Sequence, residues 1–187
     1  MKTQIDLKQI LKKGAISDEI GLERAMILDR KLRLLVKDHP ELTDQRKQLR
    51  AIIKEYENEH WNKDSIVSDE KIQESDLAEF IAEQERIFLE NRKNIIKDKI
   101  SKHGINQQDL GVILGHGKSY MSELMNGISP FTNRDLIIIH RLFHIKLENL
   151  IPTVITQKDR SKIKASILKI NKPSLKLAKL DLEKSFD

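Results

Sequence analysis

Apolar residues recur at helical spacing through the N-terminal part of the chain and predict three helices there. The first is short and ends at Gly14. The second begins at the capping-type run Ser17-Asp18-Glu19-Ile20 and ends before His39-Pro40. The third begins at Thr43 and carries apolar residues at i, i+3, i+4 and i+7. The last two predict an antiparallel helical hairpin, which together with the first makes an N-terminal helical region, residues 1–61.

A polar, aperiodic stretch follows this hairpin. Residues 62–69 predict a linker. From Ser75 to about Lys102 there is neither Gly nor Pro, and a broken apolar stripe predicts one long helix or two helices end to end. Residues 62–90 are therefore interpreted as a linker and a connecting helix.

Glycine-containing breaks divide residues 91–152 into short apolar blocks. The breaks fall at His103-Gly104, at Gly115-His116-Gly117 and at residues 127–130, as expected for short helices packed at steep angles. Eight apolar residues are predicted to form the core of this segment: Leu110, Ile113, Met121, Leu124, Leu136, Ile139, Leu142 and Leu147. Lysine-rich residues 153–187 predict a basic tail of frayed helix or disorder.

Composition agrees with an all-α fold without a sheet. Of 187 residues, 34% are charged and 4% aromatic, and the few Gly and Pro exclude a many-stranded sheet protein. The absence of cysteine excludes disulfides, thiol nucleophiles and cysteine-ligated metals, and favours a reducing compartment. No stretch approaches the roughly 20 apolar residues that span a bilayer, and the run Met-Lys-Thr-Gln-Ile-Asp lacks the 7 or more apolar residues of a secretory signal. We expect a cytoplasmic protein without a membrane partner.

Charge is distributed unevenly along the chain. The net charge is +5, yet residues 41–90 carry −7, whereas residues 91–152 carry +4 and residues 153–187 carry +5. Such blocks are usually solvated helix faces. In a functional interpretation, the basic residues 91–187 would bind phosphates and the acidic residues 41–90 would bind a cationic protein.

Two short predicted helices meet at the turn Gly115-His116-Gly117. Asn106 caps the first, and its small Gly111 faces the point where the second would cross. The second helix is predicted from Lys118 to Asn126, with Met121 and Leu124 inside. The side chains left for its outer face are small or polar: Lys118, Ser119 and Ser122, with Tyr120 and Glu123 as further candidates. A helix with such a face can lie in the DNA major groove, because short polar groups approach base edges there without steric block.

Residues 105–127 resemble the XRE-type helix-turn-helix. Gln107 stands where that family has a phosphate-contacting Gln, Gly111 at its small crossing position and Gly115 at its turn. More narrowly, the chain is similar to the antitoxin HigA in three runs: Ser122-Glu123-Leu124-Met125-Asn126-Gly127, Pro130-Phe131-Thr132 and Ile139-His140-Arg141-Leu142-Phe143. It departs from that pattern at three places: Met125, His144 and Ile128-Ser129.

The N-terminal region resembles the helical N-terminal part of the same antitoxins, in Leu22-Glu23-Arg24-Ala25 and in Tyr56-Glu57-Asn58-Glu59-His60-Trp61. The resemblance implies a five-helix XRE-type DNA-binding domain at residues 91–152. It also implies an antitoxin that neutralises a HigB-type mRNA-cleaving ribonuclease and, as a homodimer, represses its own operon on double-stranded operator DNA. Because such toxins are small and basic, the acidic residues 41–90 would be the toxin-facing surface.

Four of the candidate DNA-binding residues are assigned a role. Lys118, Ser119 and Ser122 are predicted to read bases from the outer face of the second helix. Gln107 and the N-terminal amides of its helix, with Lys118 shared, are predicted to hold phosphates. The candidate set is completed by Gly117, Tyr120 and Glu123. The alternative for each is a solvated surface helix, where Lys and Ser are common.

Other chemistry fits the sequence less well. Gly117-Lys118-Ser119 resembles part of a P-loop, but Val112 stands where that motif needs its first Gly, and no strand precedes it. His140 and His144 have the i, i+4 spacing of a zinc pair but lack a Glu at position 141 and a third ligand. We therefore expect no enzyme activity, no metal and no cofactor.

Two alternatives to the antitoxin remain open. One is a stand-alone XRE-family regulator whose N-terminal helices sense a ligand or dimerise without a toxin. The other is a helical interaction protein that does not bind DNA.

Overall fold

A computed structural model describes residues 6–61, 68–152, 157–172 and 174–177. Within these ranges every regular element is helical, which confirms the predicted all-α class. The α-helices are α1 Leu7–Lys13, α2 Glu19–Leu35, α3 Thr43–His60, α4 Asp69–Lys102, α5 Gln107–Leu114, α6 Lys118–Asn126, α7 Asn133–Phe143 and α8 Gln157–Ile170. Two short 3-10 turns lie at Pro40–Leu42 and Leu147–Asn149.

Helix ends follow the predicted capping residues in the N-terminal region. The Asp18 carboxylate accepts a hydrogen bond from the Gly21 N–H at 2.7 Å and begins α2. Gly14 ends α1 in the left-handed conformation, with φ of 67°. Fully buried Leu28 of α2 and Leu49 of α3 belong to one core cluster, so the predicted hairpin packs along its apolar face.

The connecting segment is a single helix of 34 residues, α4, whose first N–H groups are capped by Ser68. Most of the predicted linker, residues 62–67, lies outside the described residues. α4 contributes to two core clusters: Leu89 packs with the N-terminal helices, and Ile96 packs with α5, α6 and α7. The single helix α4 therefore packs against both the N-terminal helices and helices α5 to α7.

The described residues up to Ile151 form one compact unit, and those from Pro152 onward form a second. Ile128, from the loop after α6, is buried among the core residues of the N-terminal helices. The N-terminal region and the segment from residue 91 onward thus share a core. The second unit contains α8, a helix of 14 residues where frayed helix or disorder was expected. The tail beyond residue 177 lies outside the described part of the chain.

The predicted core of residues 91–152 is confirmed in part. Five residues are buried: Leu110, Met121, Leu124, Leu136 and Ile139. Three predictions were wrong, because Ile113, Leu142 and Leu147 are 45%, 42% and 43% exposed. The buried stripe of α5 runs through Leu110, Gly111 and Leu114, which turns Ile113 toward solvent, and Phe143 rather than Leu142 closes the stripe of α7.

The last predicted helix of the five-helix segment is reduced to the 3-10 turn Leu147–Asn149. Buried Leu150 then ends the unit, and its carbonyl accepts a hydrogen bond from the guanidinium of Arg92 at 3.2 Å. Of the helices in the described ranges, none has both the length and the apolar character that a bilayer crossing requires.

Candidate nucleic-acid interface

A tight turn between α5 and α6 sets the position of α6. Gly115 adopts the left-handed conformation with φ of 80°, and the His116 N–H donates to the Gly111 carbonyl at 2.8 Å. A Cβ on Gly111 would lie 3.0 Å from the His116 carbonyl oxygen and 3.5 Å from the Met121 Cβ. The predicted close crossing at Gly111 is confirmed, because a larger residue would push the turn and α6 away.

Two contacts to α7 hold this turn in place. His116 Nε2 lies 3.0 Å from Oδ1 of the fully buried Asp135, and Arg134 donates to the Leu114 carbonyl at 3.0 Å. Sequence reasoning missed both positioning residues. The pattern Thr132-x-x-Asp135 could have indicated a capping box at the start of α7, but nothing in the sequence pointed to its partner in the turn.

The inner face of α6 is built as predicted. Met121 and Leu124 are 0% and 1% exposed, and Met125 is buried beside them. On the other side, Lys118 and Ser119 are exposed and Ser122 is half-buried. Residues three and four apart share a helix face, so these three side chains form one polar surface.

Tyr120 and Glu123 do not have the exposure expected of an outer face. The Tyr120 ring packs edge-on against His116 at 5.1 Å between centroids. The Glu123 side chain is only 14% exposed and accepts from Ser129 Oγ at 2.8 Å. Lys8 of α1 binds both, with Nζ 3.1 Å from the Glu123 carboxylate and 4.7 Å from the Tyr120 ring centroid. Their DNA-binding role stays a prediction.

The turn between α2 and α3 lies against the middle of α6. Ser119 Oγ donates to Glu41 Oε1 at 3.4 Å, and Ser122 Oγ lies 3.4 Å from His39 Nε2. Hydrogen bonds from its own backbone N–H, from His39 and from Ser119 lower the pKa of the Glu41 carboxyl, so that it is negatively charged at neutral pH. Sequence reasoning missed this contact.

The predicted phosphate contacts of α5 divide into two parts: two of the N-terminal amides are engaged within the chain, whereas the phosphate-binding role of Gln107 stays a prediction. Asn106 Oδ1 already accepts from the N–H groups of Gln108 and Asp109, at 2.7 and 3.1 Å, so these amides are occupied within the chain. The Gln107 side chain is half-buried. A capping box therefore uses the helix terminus that was expected to hold a phosphate.

The start of α6 is the more open terminus. Gly117 is its N-cap residue, without a side-chain hydrogen bond, and a Cβ placed there would meet nothing within 4 Å among the described residues. The exposed Lys118 follows directly. Uncapped N–H groups beside a lysine suit a phosphate oxygen.

His140, of the possible zinc pair, contacts the backbone through one ring nitrogen. Its Nδ1 lies 2.6 Å from the carbonyl oxygen of Ile145, which connects α7 to the chain beyond it.

The chain was compared with protein-family models, with curated proteins and with solved structures, and none of the three comparisons gave a match.

Proposed function

We propose that the chain is a DNA-binding antitoxin, in which α6 reads operator DNA and the N-terminal helices neutralise a HigB-type ribonuclease. The observation that carries the DNA-binding part is the division of α6. Met121 and Leu124 anchor its inner side, while Lys118, Ser119 and Ser122 share the opposite side behind a glycine turn. Autorepression as a homodimer belongs to the same proposal and is supported by the resemblance to HigA.

The dimensions of α6 support insertion into a major groove. A helix with its side chains is about 10–12 Å across, and the groove is about 12 Å wide. Lys118 and the open N-terminus of α6 would hold phosphates, and the hydroxyls of Ser119 and Ser122 would approach base edges. Phosphate contacts supply most of the affinity, while each good base contact adds about 1–3 kcal/mol of discrimination.

A gel-shift titration tests the assignment with two lysine variants. The probe is the duplex directly upstream of the chain's own coding sequence. Lys118→Ala should weaken binding far more than Lys176→Ala, since both lysines are exposed but only the first lies on α6. The slope of log K against log salt should fall by about one for the first variant and stay constant for the second. Equal losses would contradict the assignment.

Charge supports the toxin-binding part. Exposed acidic residues cluster in the second half of α3 and the first half of α4: Glu55, Glu57, Glu59, Asp69, Glu70, Glu74, Asp76 and Glu79. A surface of this sign suits a small basic protein, because complementary charge accelerates association and selects the partner.

Growth rescue tests this second part. The chain is co-expressed with a small basic protein encoded by an adjacent reading frame, and rescue of growth is scored. Reversing Glu55 and Glu59 to lysine should reduce rescue, while Lys118→Ala should rescue fully although it loses operator binding. Loss of rescue in Lys118→Ala with retention in the charge-reversed variant would invert the assignment of the two surfaces.

A stand-alone XRE-family regulator is the second candidate, and a groove beside α2 and α3 favours it. The groove has a volume of about 1070 Å³ and is lined by both charge signs, including Glu23, Arg30 and Lys54. Burial, and then the charge of Glu79, raise the pKa of Glu23. If the chain does not rescue growth from the toxin, and if its operator binding depends on a small metabolite, the stand-alone regulator is favoured.

A further inference from the structure

The face of α6 that is proposed to read DNA is occupied by the chain itself. We propose that residues 37–41, the turn between α2 and α3, form an intramolecular cover that must leave α6 before its serines can reach base edges. This regulation rests on the proposed DNA-binding function.

The cover contacts both serines of the polar face. Glu41 Oε1 accepts from Ser119 Oγ, and His39 Nε2 lies beside Ser122 Oγ, each at 3.4 Å. His39 Nδ1 also lies 3.1 Å from Glu41 Oε1, so the two cover residues act as one unit. The serines are three residues apart, which places them nearly one above the other on the helix. The same short turn therefore spans the part of α6 expected to face the bases.

A duplex and the cover cannot occupy this face together. The groove, about 12 Å wide, is filled by a helix about 10–12 Å across, so no further backbone segment fits between α6 and the base edges. The negative charge of Glu41 would also face phosphates, which are repelled by a carboxylate. Sequence readout thus requires displacement of the cover.

The cover can move without unfolding the hairpin. Four of its residues are exposed: Lys37, Asp38, Pro40 and Glu41. The leucines that flank it, Leu32 and Leu42, are buried at 0% and 5% exposure and anchor α2 and the start of α3. Exposed segments with few apolar contacts open locally at lower free energy than buried ones.

Separate contacts hold α6 while the cover moves. Lys31 Nζ donates to the Asn126 carbonyl at 3.1 Å, and Lys93 Nζ donates to Asn126 Oδ1 at 3.0 Å. Lys8 binds Glu123 at 3.1 Å. These lysines lie outside the cover, so opening exposes the serines of a helix that stays in position.

Lys118 lies outside the covered part of the face. It is exposed, and among the described side chains it makes no hydrogen bond or ion pair with the cover. Phosphate binding through Lys118 is therefore expected in the closed state. The cover controls sequence preference, and non-specific binding to any duplex continues.

Opening variants give the first test. Glu41→Ala combined with His39→Ala removes the charge and both contacts, and Glu55→Ala removes an exposed glutamate of α3 as a matched control. The probe is a duplex selected from a random pool by the opened variant, compared with a scrambled duplex of equal length. Affinity for the selected duplex should rise about tenfold if about nine tenths of the molecules are closed, while affinity for the scrambled duplex stays constant.

A cross-link gives the reverse test, because the chain has no cysteine. Glu41→Cys with Ser119→Cys is joined by a short bifunctional maleimide, and the same protein is measured before and after reaction. The loss of the Ser119 hydroxyl is common to both measurements. A pair of exposed positions on α3, Glu55→Cys with Glu59→Cys, controls for the reagent. Preference for the selected duplex should disappear only in the first pair.

The outcomes separate the cover from the proposed function. A preference for the selected duplex that is present before cross-linking and unchanged after it overturns the cover and leaves DNA binding intact. If Ser119→Cys already abolishes the preference before reaction, the opening variants decide, and an affinity for the selected duplex equal to that of the wild type overturns the cover. If neither the wild-type chain nor the opened variant prefers any duplex, the DNA-binding function fails and the cover fails with it.

Discussion

Nε2 of His116 lies 3.0 Å from Oδ1 of Asp135, which fastens the turn before α6 to the first turn of α7. The other carboxylate oxygen of Asp135 accepts from the Thr132 N–H at 3.0 Å. Burial alone would raise the pKa of Asp135, but the hydrogen bonds from Thr132 and His116 outweigh it and lower the pKa below the usual 3.8. The ionised carboxylate therefore helps to orient α6.

Asp135→Asn should lower the free energy of unfolding at pH 7 by about 1–3 kcal/mol, because it removes charge-assisted hydrogen bonds from a buried site. A lowered pKa in the folded state means that the unfolded state binds this proton more readily. The difference between wild type and variant should be complete above about pH 4 and should shrink as the pH falls through the folded-state value.

Urea unfolding at pH 7, 5 and 3 measures this difference. Asp44→Asn is the control, since that side chain is 86% exposed, and it should change the free energy of unfolding by less than about 0.5 kcal/mol. A difference for Asp135→Asn that stays constant over the whole pH range would contradict the role of its charge.

Gly111→Ala should destabilise the chain by about 1–3 kcal/mol, because the new Cβ would lie 3.0 Å from a backbone oxygen that cannot easily move. Operator affinity should fall as well, since α6 is displaced from its position behind the turn. Val112→Ala, at the neighbouring and 79% exposed position of α5, should leave the free energy of unfolding nearly unchanged. Thermal unfolding and gel shift of both variants check this pair, and equal effects would show that the crossing is not tight.

Much of the fold could be predicted from local patterns. The starts of α2 and α3 and the turn after α5 follow from caps, glycines and apolar spacing, which are properties of neighbouring residues. The core was less well predicted at Ile113 and Leu142. Each of these residues lies next to one that is buried instead. The spacing of apolar residues in one sequence does not determine which of two neighbouring positions on a helix faces the core.

The candidate site shows the same limit. Lys118 and Ser119 could be placed on an exposed face because helix periodicity alone sorts α6 into two sides. The contacts from Glu41 and His39 join residues 78 and 83 positions apart, and no period or cap marks them in the sequence. Only the packing of the N-terminal helices against α6 brings them together.

Lys31, which donates to the last carbonyl of α6, should titrate far below an ordinary lysine. Burial lowers its pKa from 10.5 to about 8; Lys93 adds to this effect and Glu90 opposes it. In this window the unfolded chain binds more protons than the folded one, so stability should rise with pH between about 8 and 10.5. The free energy of unfolding of Lys31→Met should not show this rise.

The gain of the wild type over Lys31→Met across this window should be on the order of 1–3 kcal/mol. Urea unfolding of both proteins at roughly pH 7.5, 9 and 10 measures whether the free energy of unfolding rises with pH in the wild type alone. Lys97→Met, an exposed lysine of α4, serves as control. Parallel pH profiles of wild type and Lys31→Met would contradict the shifted pKa.

The carboxylate of Glu19 connects the start of α2 to the end of α3. It is 4% exposed and accepts from the Tyr56 hydroxyl at 3.0 Å and from the Trp61 indole N–H at 3.1 Å. Glu19→Ala would leave both donors without this acceptor, and each such loss costs about 1–3 kcal/mol. We expect Glu19→Ala to lower the free energy of unfolding by about 2–4 kcal/mol, and Glu19→Gln, which keeps a carbonyl acceptor, to lower it by less.

Trp61 is the only tryptophan, so its fluorescence reports directly on this junction during urea unfolding. Glu55→Ala, at an exposed position of α3, should change the free energy of unfolding by less than about 0.5 kcal/mol. Because the proposed toxin-facing surface begins at this end of α3, growth rescue should weaken with Glu19→Ala and persist with Glu19→Gln. Equal unfolding midpoints for the two Glu19 variants would show that the acceptor oxygen does not hold the junction.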